Sequence, residues 1–206
     1  MYKKILCISI LACSLNSIAF ADEPAPGGNE YASTGSNAGV YFGGQLGMSN
    51  MHYGSKYLIA NNSVENTKFA GRGYLGYAFS QFIAAELGYD YYGYPKFKNT
   101  VNGNTQDILQ QGFDLVAKAS LPLDYGFGFY IKGGLAWVHR SALNGNLGTF
   151  AQKDSNSKIT PVGALGVSYW FTPNIAADLS WTKTMTVSDL PTIDLIALGI
   201  TYKINV

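Results

Sequence analysis

Cysteine is nearly absent: the 206-residue chain has two, Cys7 and Cys13, both within the first 21 residues. Charge is also scarce, at 13% of residues, about half the share usual for a soluble domain. The net charge is only +1, so there is no basic field to draw nucleic acid. No run of 18 uninterrupted apolar residues occurs, which excludes a mature transmembrane helix. Histidine appears twice, as His52 and His139. No Cys/His/Asp cluster has metal-ligand spacing, and no glycine-rich segment leads into a helix as a phosphate loop requires. The sequence thus assigns no cofactor, metal or catalytic residue.

What the chain does have is aromatic and small. Aromatics reach 14%, with 15 tyrosines, beside 24 glycines. Mean hydropathy is +0.03, too low for a bundle of membrane helices. Few charges and many aromatics at average hydropathy suit apolar residues spread thinly over a surface that does not face water.

The first 21 residues read as a cleaved signal peptide. Lys3 and Lys4 form the positive start, Ile5 to Leu15 the apolar stretch, and Ala19 and Ala21 the small residues before the cut. Lipidation at Cys13 is the rival reading, but Leu11 is bulky for that recognition site. Cleavage after Ala21 removes both cysteines, so no disulfide remains. Residues 22–38 carry Pro24, Pro26, Gly27, Gly28, Ser33, Gly35 and Ser36, and are expected to form a disordered arm.

From Gly39 onward the apolar residues alternate with period two, the signature of strands with one face buried. Ile196, Leu198, Ile200, Tyr202, Ile204 and Val206 share one face of the last segment. Phe113, Leu115, Ala117, Ala119 and Leu121 share a face, as do Phe129, Ile131, Gly133, Leu135 and Trp137. Eight strands are expected, near 39–50, 68–79, 82–93, 108–121, 127–140, 159–171, 174–186 and 192–206. Short connections at Ser80-Gln81, Pro122 to Gly126 and Thr172-Pro173 alternate with long ones near 51–67, 94–107 and 141–158, and a shorter fourth at 187–191. That pattern predicts an all-β fold: an eight-stranded antiparallel up-and-down transmembrane β-barrel over 39–206, in the outer membrane of a Gram-negative bacterium. Closure follows from the solvent, because an open sheet edge in hydrocarbon leaves backbone groups unpaired. One segment repeats: Ile83-Ala84-Ala85-Glu86-Leu87 returns as Ile175-Ala176-Ala177-Asp178-Leu179, each just after a short turn. Similar demands on two outgoing strands explain this more simply than hairpin duplication.

The opposite parity places Arg72, Lys118, Lys132 and Lys203 inside, with Glu86, Asp90, Asp114 and Asp178. An eight-stranded barrel is just wide enough for side chains to fill, and buried charges must pair. The expectation is a closed charge network that plugs the lumen, with a narrow low-conductance ion pore as the alternative. Arg72 is the expected partner of Glu86, Lys118 the second choice, and Lys203 the expected partner of Asp178. A third possibility is an enzyme. His139 and Ser141 share a face two residues apart and could form a nucleophile and its base. They faintly resemble the motif of lipid A deacylase barrels, but Ala142 stands where those have Asn.

The order of several fragments gives a resemblance. Gly43-Gly44-Gln45-Leu46-Gly47-Met48-Ser49, Glu86-Leu87-Gly88-Tyr89-Asp90, Ala117-Lys118, Gly133-Gly134, Thr172-Pro173 and Leu198-Gly199-Ile200 follow one another as in the transmembrane barrel of the OmpA family. The resemblance covers Gly39 to Val206. It implies a structural, envelope-integrity role with adhesin- or antigen-like loops that meet host or phage ligands. It implies partners in outer-membrane lipid and lipopolysaccharide, periplasmic chaperones and the barrel-assembly machinery, the last reading Tyr202, Ile204 and Val206. Many members continue into a peptidoglycan-binding domain that is not expected here. The family's interior Glu–Arg gate is matched at Glu86, but Asp178 stands at the arginine position and Ser168 at that of another interior acid. Lys118 and Lys132 match basic interior positions. The gate therefore does not carry over as it stands.

Overall fold

The computed structural model describes residues 38–52, 62–99, 105–107, 109–141, 156–185 and 191–204. The expected signal peptide with Ala19 and Ala21, nearly all of the N-terminal arm, and Val206 lie outside them. Eleven strands are present: β1 (Gly39–His52), β2 (Asn62–Glu65), β3 (Thr67–Ala78), β4 (Ile83–Gly93), β5 (Lys96–Asn99), β6 (Thr105–Asp107), β7 (Gln110–Pro122), β8 (Phe127–Arg140), β9 (Asn156–Trp170), β10 (Ile175–Thr184) and β11 (Thr192–Lys203). Eight of them close an antiparallel barrel in the order β1-β11-β10-β9-β8-β7-β4-β3, with β3 returning to β1. Each of the eight overlaps an expected strand, within a few residues at either end.

The difference lies in the long connections, read from sequence as loops. Strands β2, β5 and β6 lie there and form a separate three-stranded sheet in the order β2-β5-β6. These strands have only three or four residues each. Period-two alternation has no room to show in so short a run.

The short turns explain the repeated segment. Ser80 Oγ accepts hydrogen bonds from the Phe82 and Ile83 amides, both at 3.2 Å. Thr172 Oγ1 does the same for Asn174 and Ile175, at 3.3 and 3.0 Å. The Phe79 and Phe171 amides then donate to the Ile83 and Ile175 carbonyls. A hydroxyl three residues before the isoleucine closes both turns. Glu86 and Asp178 therefore enter the lumen at equivalent distances from their turns. The β7–β8 turn differs: it is a short 3-10 turn at Asp124–Gly126, with Gly126 at φ 82°.

The wall faces two solvents. Leu46, Leu115, Leu135 and Leu198 point outward and are 57–68% exposed, and the large apolar neighbours of their parity are exposed too. Around one rim run Tyr89, Phe113 and Trp137, with ring centroids 5.2 and 6.4 Å apart. Around the short-turn end run Phe127, Tyr169 and Phe171, 4.8 and 4.9 Å apart. Two aromatic girdles bounding an apolar band are what a bilayer selects, since amphipathic rings settle at its two interfaces.

Candidate functional site: the filled lumen

The inward parity of the wall builds three levels. Toward the long-connection end, Met51, Tyr92, Val138, Ile193 and Leu195 are almost completely buried. They share that level with the buried polar side chains of Ser49, Gln110, Thr160 and Thr184, and hydrogen bonds run from Ser49 Oγ to the Tyr92 carbonyl (2.6 Å) and between the Tyr92 and Thr184 hydroxyls (3.3 Å). This level was not expected from sequence, where only the charges were read as the plug.

Next comes the charge cluster. Arg72 Nε and Nη2 donate to the two Asp114 carboxylate oxygens at 2.8 and 2.7 Å. Its Nη1 donates to Glu86 Oε2 at 3.0 Å, and its Nε lies 3.7 Å from Asp90. Lys132 Nζ reaches the same Glu86 oxygen at 2.7 Å. Lys118 Nζ stands 3.7 Å from Glu86 Oε1. Arg72 is thus the hub: its planar fork engages three carboxylates, which a lysine's point charge could not do with the same geometry. Gly88 makes room for it. A Cβ there would lie 2.6 Å from Asp114 Oδ2 and 2.7 Å from Arg72 Nη2.

The third level is aromatic. Tyr41 donates to Glu86 Oε1 and Tyr130 to Asp178 Oδ2, both at 3.0 Å, while Tyr74 shares a hydrogen bond with Thr201 at 2.6 Å. The ammonium of Lys118 lies 4.5 Å over the Tyr130 ring, and that of Lys132 lies 5.0 Å from it. Each of these tyrosines lies against a glycine of the adjoining strand. A Cβ on Gly76, Gly43 or Gly166 would come within 2.5 Å of the Tyr41, Tyr74 or Tyr130 side chain. The chain's tyrosine and glycine richness is in part this one packing solution. At the short-turn mouth a cavity of about 110 Å³ remains.

All eight expected lumen charges face inward, but they do not form one network. Six of them make the cluster around Arg72 and Glu86. Lys203, 5% exposed, lies apart from it at the short-turn end. Asp178 is not paired with Lys203: it accepts from Gln45 and Tyr130, both on Oδ2. The register explains why. Asp178 lies across from Gly199, and Lys203 is four residues further along β11, about 13 Å at 3.3 Å per residue. Gln45 and the lumen tyrosines were missed as partners. Their inward parity was the available signal.

The catalytic alternative also changes shape. His139 Nδ1 meets Ser157 Oγ at 2.7 Å, across β8–β9 on the outer wall. Ser141 Oγ instead accepts from the Leu109 amide at 3.0 Å. Among the described residues no carboxylate engages His139, and no cluster of three or more potential ligands is placed to hold a metal. His52 stands 3.4 Å from Asp194 at the rim. Tyr202 and Ile204 of the expected insertion signal face outward.

A closed barrel of eight strands with an apolar outer face, two aromatic girdles and a charged, polar interior is a small outer-membrane β-barrel. Residues 36–206 match the OmpA-like transmembrane domain, and the chain belongs to that family, whose place is the outer membrane of Gram-negative bacteria. It is similar to outer membrane protein A of Serratia marcescens, with 29% identity over 94% of this chain and 54% of that one. It is 30% identical to outer membrane protein A of Shigella flexneri over the same shares. The chain spans about half the length of these curated relatives. The fold is also that of Neisserial surface protein A, at a TM-score of 0.56 and 16% identity, covering 82% of this chain and 99% of that one.

Proposed function

We infer that the protein is a sealed structural barrel of the outer membrane that serves envelope integrity and presents its long connections outside the cell. The observation that carries this reading is the layered lumen. Buried apolar and polar side chains crowd the outer half, and beneath them lies an arginine-centred ion cluster. A permeating ion would have to separate these charge-assisted pairs and pass the side chains packed above them. Planar-bilayer recording of the purified full-length chain is expected to show no unitary conductance steps. Reproducible discrete steps would favour the narrow pore and reject the plug.

The surface role is adhesin- or antigen-like. Support comes from the β2-β5-β6 sheet, which gives the long connections a hydrogen-bonded frame. Deleting residues 94–107 is expected to reduce attachment to host cells or phage while leaving barrel levels unchanged. Assembly is expected to require periplasmic chaperones and the barrel-assembly machinery, reading the end of β11. No catalytic role is assigned to His139, because its partner Ser157 lies on the wall without a carboxylate to orient the imidazole.

A further inference from the structure

The cavity at the short-turn mouth is lined by three ammonium groups, on Lys118, Lys132 and Lys203, and by one carboxylate, Asp178. The carboxylate is turned away from the space. Its Oδ2 is occupied by Gln45 and Tyr130, and its Oδ1 is buried against Gly199, where a Cβ would lie 2.8 Å from it. Glu86 is not part of the lining, and both its oxygens are engaged: Oε1 by the Tyr41 hydroxyl, Oε2 by Arg72 and Lys132. Positive charge therefore faces this space.

Lys118 is the group best placed to use it. Its side chain is 18% exposed, against 4% for Arg72 and 6% for Lys132. Its Nζ lies 3.7 Å from Glu86 Oε1, beyond hydrogen-bond length, and rests against the Tyr41 and Tyr130 rings at 5.5 and 4.5 Å. The ammonium thus has N–H groups with no acceptor among the described residues. Ser120 lines the same cavity two residues further along β7, about 7 Å away along the strand. Lys203 adds its charge from β11, on the opposite side of the ring from β7. An ammonium with unfilled N–H groups is best answered by a negatively charged acceptor. A single-atom halide reaches one such donor at a time, whereas an oxyanion presents several oxygens and spans the gap between Lys118 and Ser120. Size agrees: a cavity of roughly 150 Å³ admits benzene, so about 110 Å³ holds a smaller ion with bridging water. We propose that this vestibule is a binding site for a small free oxyanion of the phosphate class, entered from the turns at Ser80 and Pro173. One oxygen accepts from Lys118 Nζ and a second from Ser120 Oγ, while Lys203 offsets the remaining charge. That the site opens to the periplasm rests on the orientation inferred above, with the long connections outside; the binding itself does not.

The test is an NMR titration of the full-length chain in alkyl maltoside micelles with inorganic phosphate, beside chloride at matched ionic strength and ethylammonium. Phosphate is expected to give saturable amide shifts at Lys118, Ser120 and Thr201, and the two other ions none. Lys118→Met should raise the dissociation constant by roughly ten- to a hundredfold, the loss of one charge-assisted hydrogen bond. Ser120→Ala should raise it by about two- to tenfold, the loss of a neutral one. No saturable shift with phosphate, equal shifts with chloride, saturable binding of ethylammonium, or unchanged affinity in the variants overturns the proposal. Phosphatidylglycerol added to the micelles without phosphate should leave the three amides unmoved; a shift there makes a lipid headgroup the occupant and overturns the free ion. If Lys118→Met does not fold, Ser120→Ala and the chloride comparison on the parent chain decide it alone.

Discussion

Replacing Arg72 by Met keeps much of the side-chain bulk but removes the hub of the lumen. Asp114 then loses both of its guanidinium hydrogen bonds, and Glu86 and Asp90 lose a cation. Removing one member of a buried ion pair costs about 3–5 kcal/mol, because the remaining charge is left uncompensated. With a urea slope of about 2 kcal/mol per molar, the unfolding midpoint falls by about 2 M. The second substitution identifies the wiring. Arg72 is the cation paired with Asp114, whereas Glu86 is also held by Lys132 and Lys118. In the Arg72→Met background, Asp114→Asn should therefore recover about 2 kcal/mol of coupling, within the usual range for residues in contact. Glu86→Gln should recover little, since it strands two lysines. Unfolding followed by tryptophan fluorescence in lipid vesicles measures the parent, the three single variants and the two double variants. If the Arg72 and Asp114 penalties simply add, the two residues are not partners and the hub assignment fails.

Gly88→Ala should cost about 1–3 kcal/mol by pushing a methyl group into the Arg72–Asp114 pair, read as a lower urea midpoint. Leu115→Arg should cost about 2–4 kcal/mol if the residue sits near the bilayer midplane. In single-cysteine variants a lipid-phase reagent should label position 115 but not position 118. Deleting residues 197–206 removes most of β11 and opens β1 and β10. Surface levels of that truncation, read by antibody, should fall to background, because unpaired edges are not tolerated in hydrocarbon.

The barrel was legible in the sequence because its wall has only two environments, and parity sorts residues between them. Leu115 and Lys118 differ by an odd number of positions, and they face opposite sides. Depth around the barrel was less legible. Short turns transmit register, so Arg72 and Glu86, flanking the turn at Ser80, were rightly brought together. Long connections do not transmit it. Between β10 and β11 the expected Asp178–Lys203 contact failed, and between β8 and β9 the partner of His139 became Ser157. Parity also says nothing of which inward residues are apolar by design. Met51, Ile193 and Leu195 lie at the end of the alternation and were not separated from the charges below them.

The tyrosines seated on glycines have a consequence for how the sheet finds its pairing. Sliding two strands by two positions keeps every apolar side chain toward lipid, so the solvent does not oppose that error. The side chains in the lumen do. Tyr41 faces Gly76 while Gly43 faces Tyr74. A slip of two in one direction sets Tyr41 directly against Tyr74 in a space shaped for one ring, and in the other it leaves Gly43 against Gly76 with a void between them. Between β8 and β9 Tyr130 faces Gly166, and a slip of two sets its ring against Ala164 or Ser168 instead. The rings therefore act as a vernier, telling the correct alignment from the nearest ones that the membrane itself would accept.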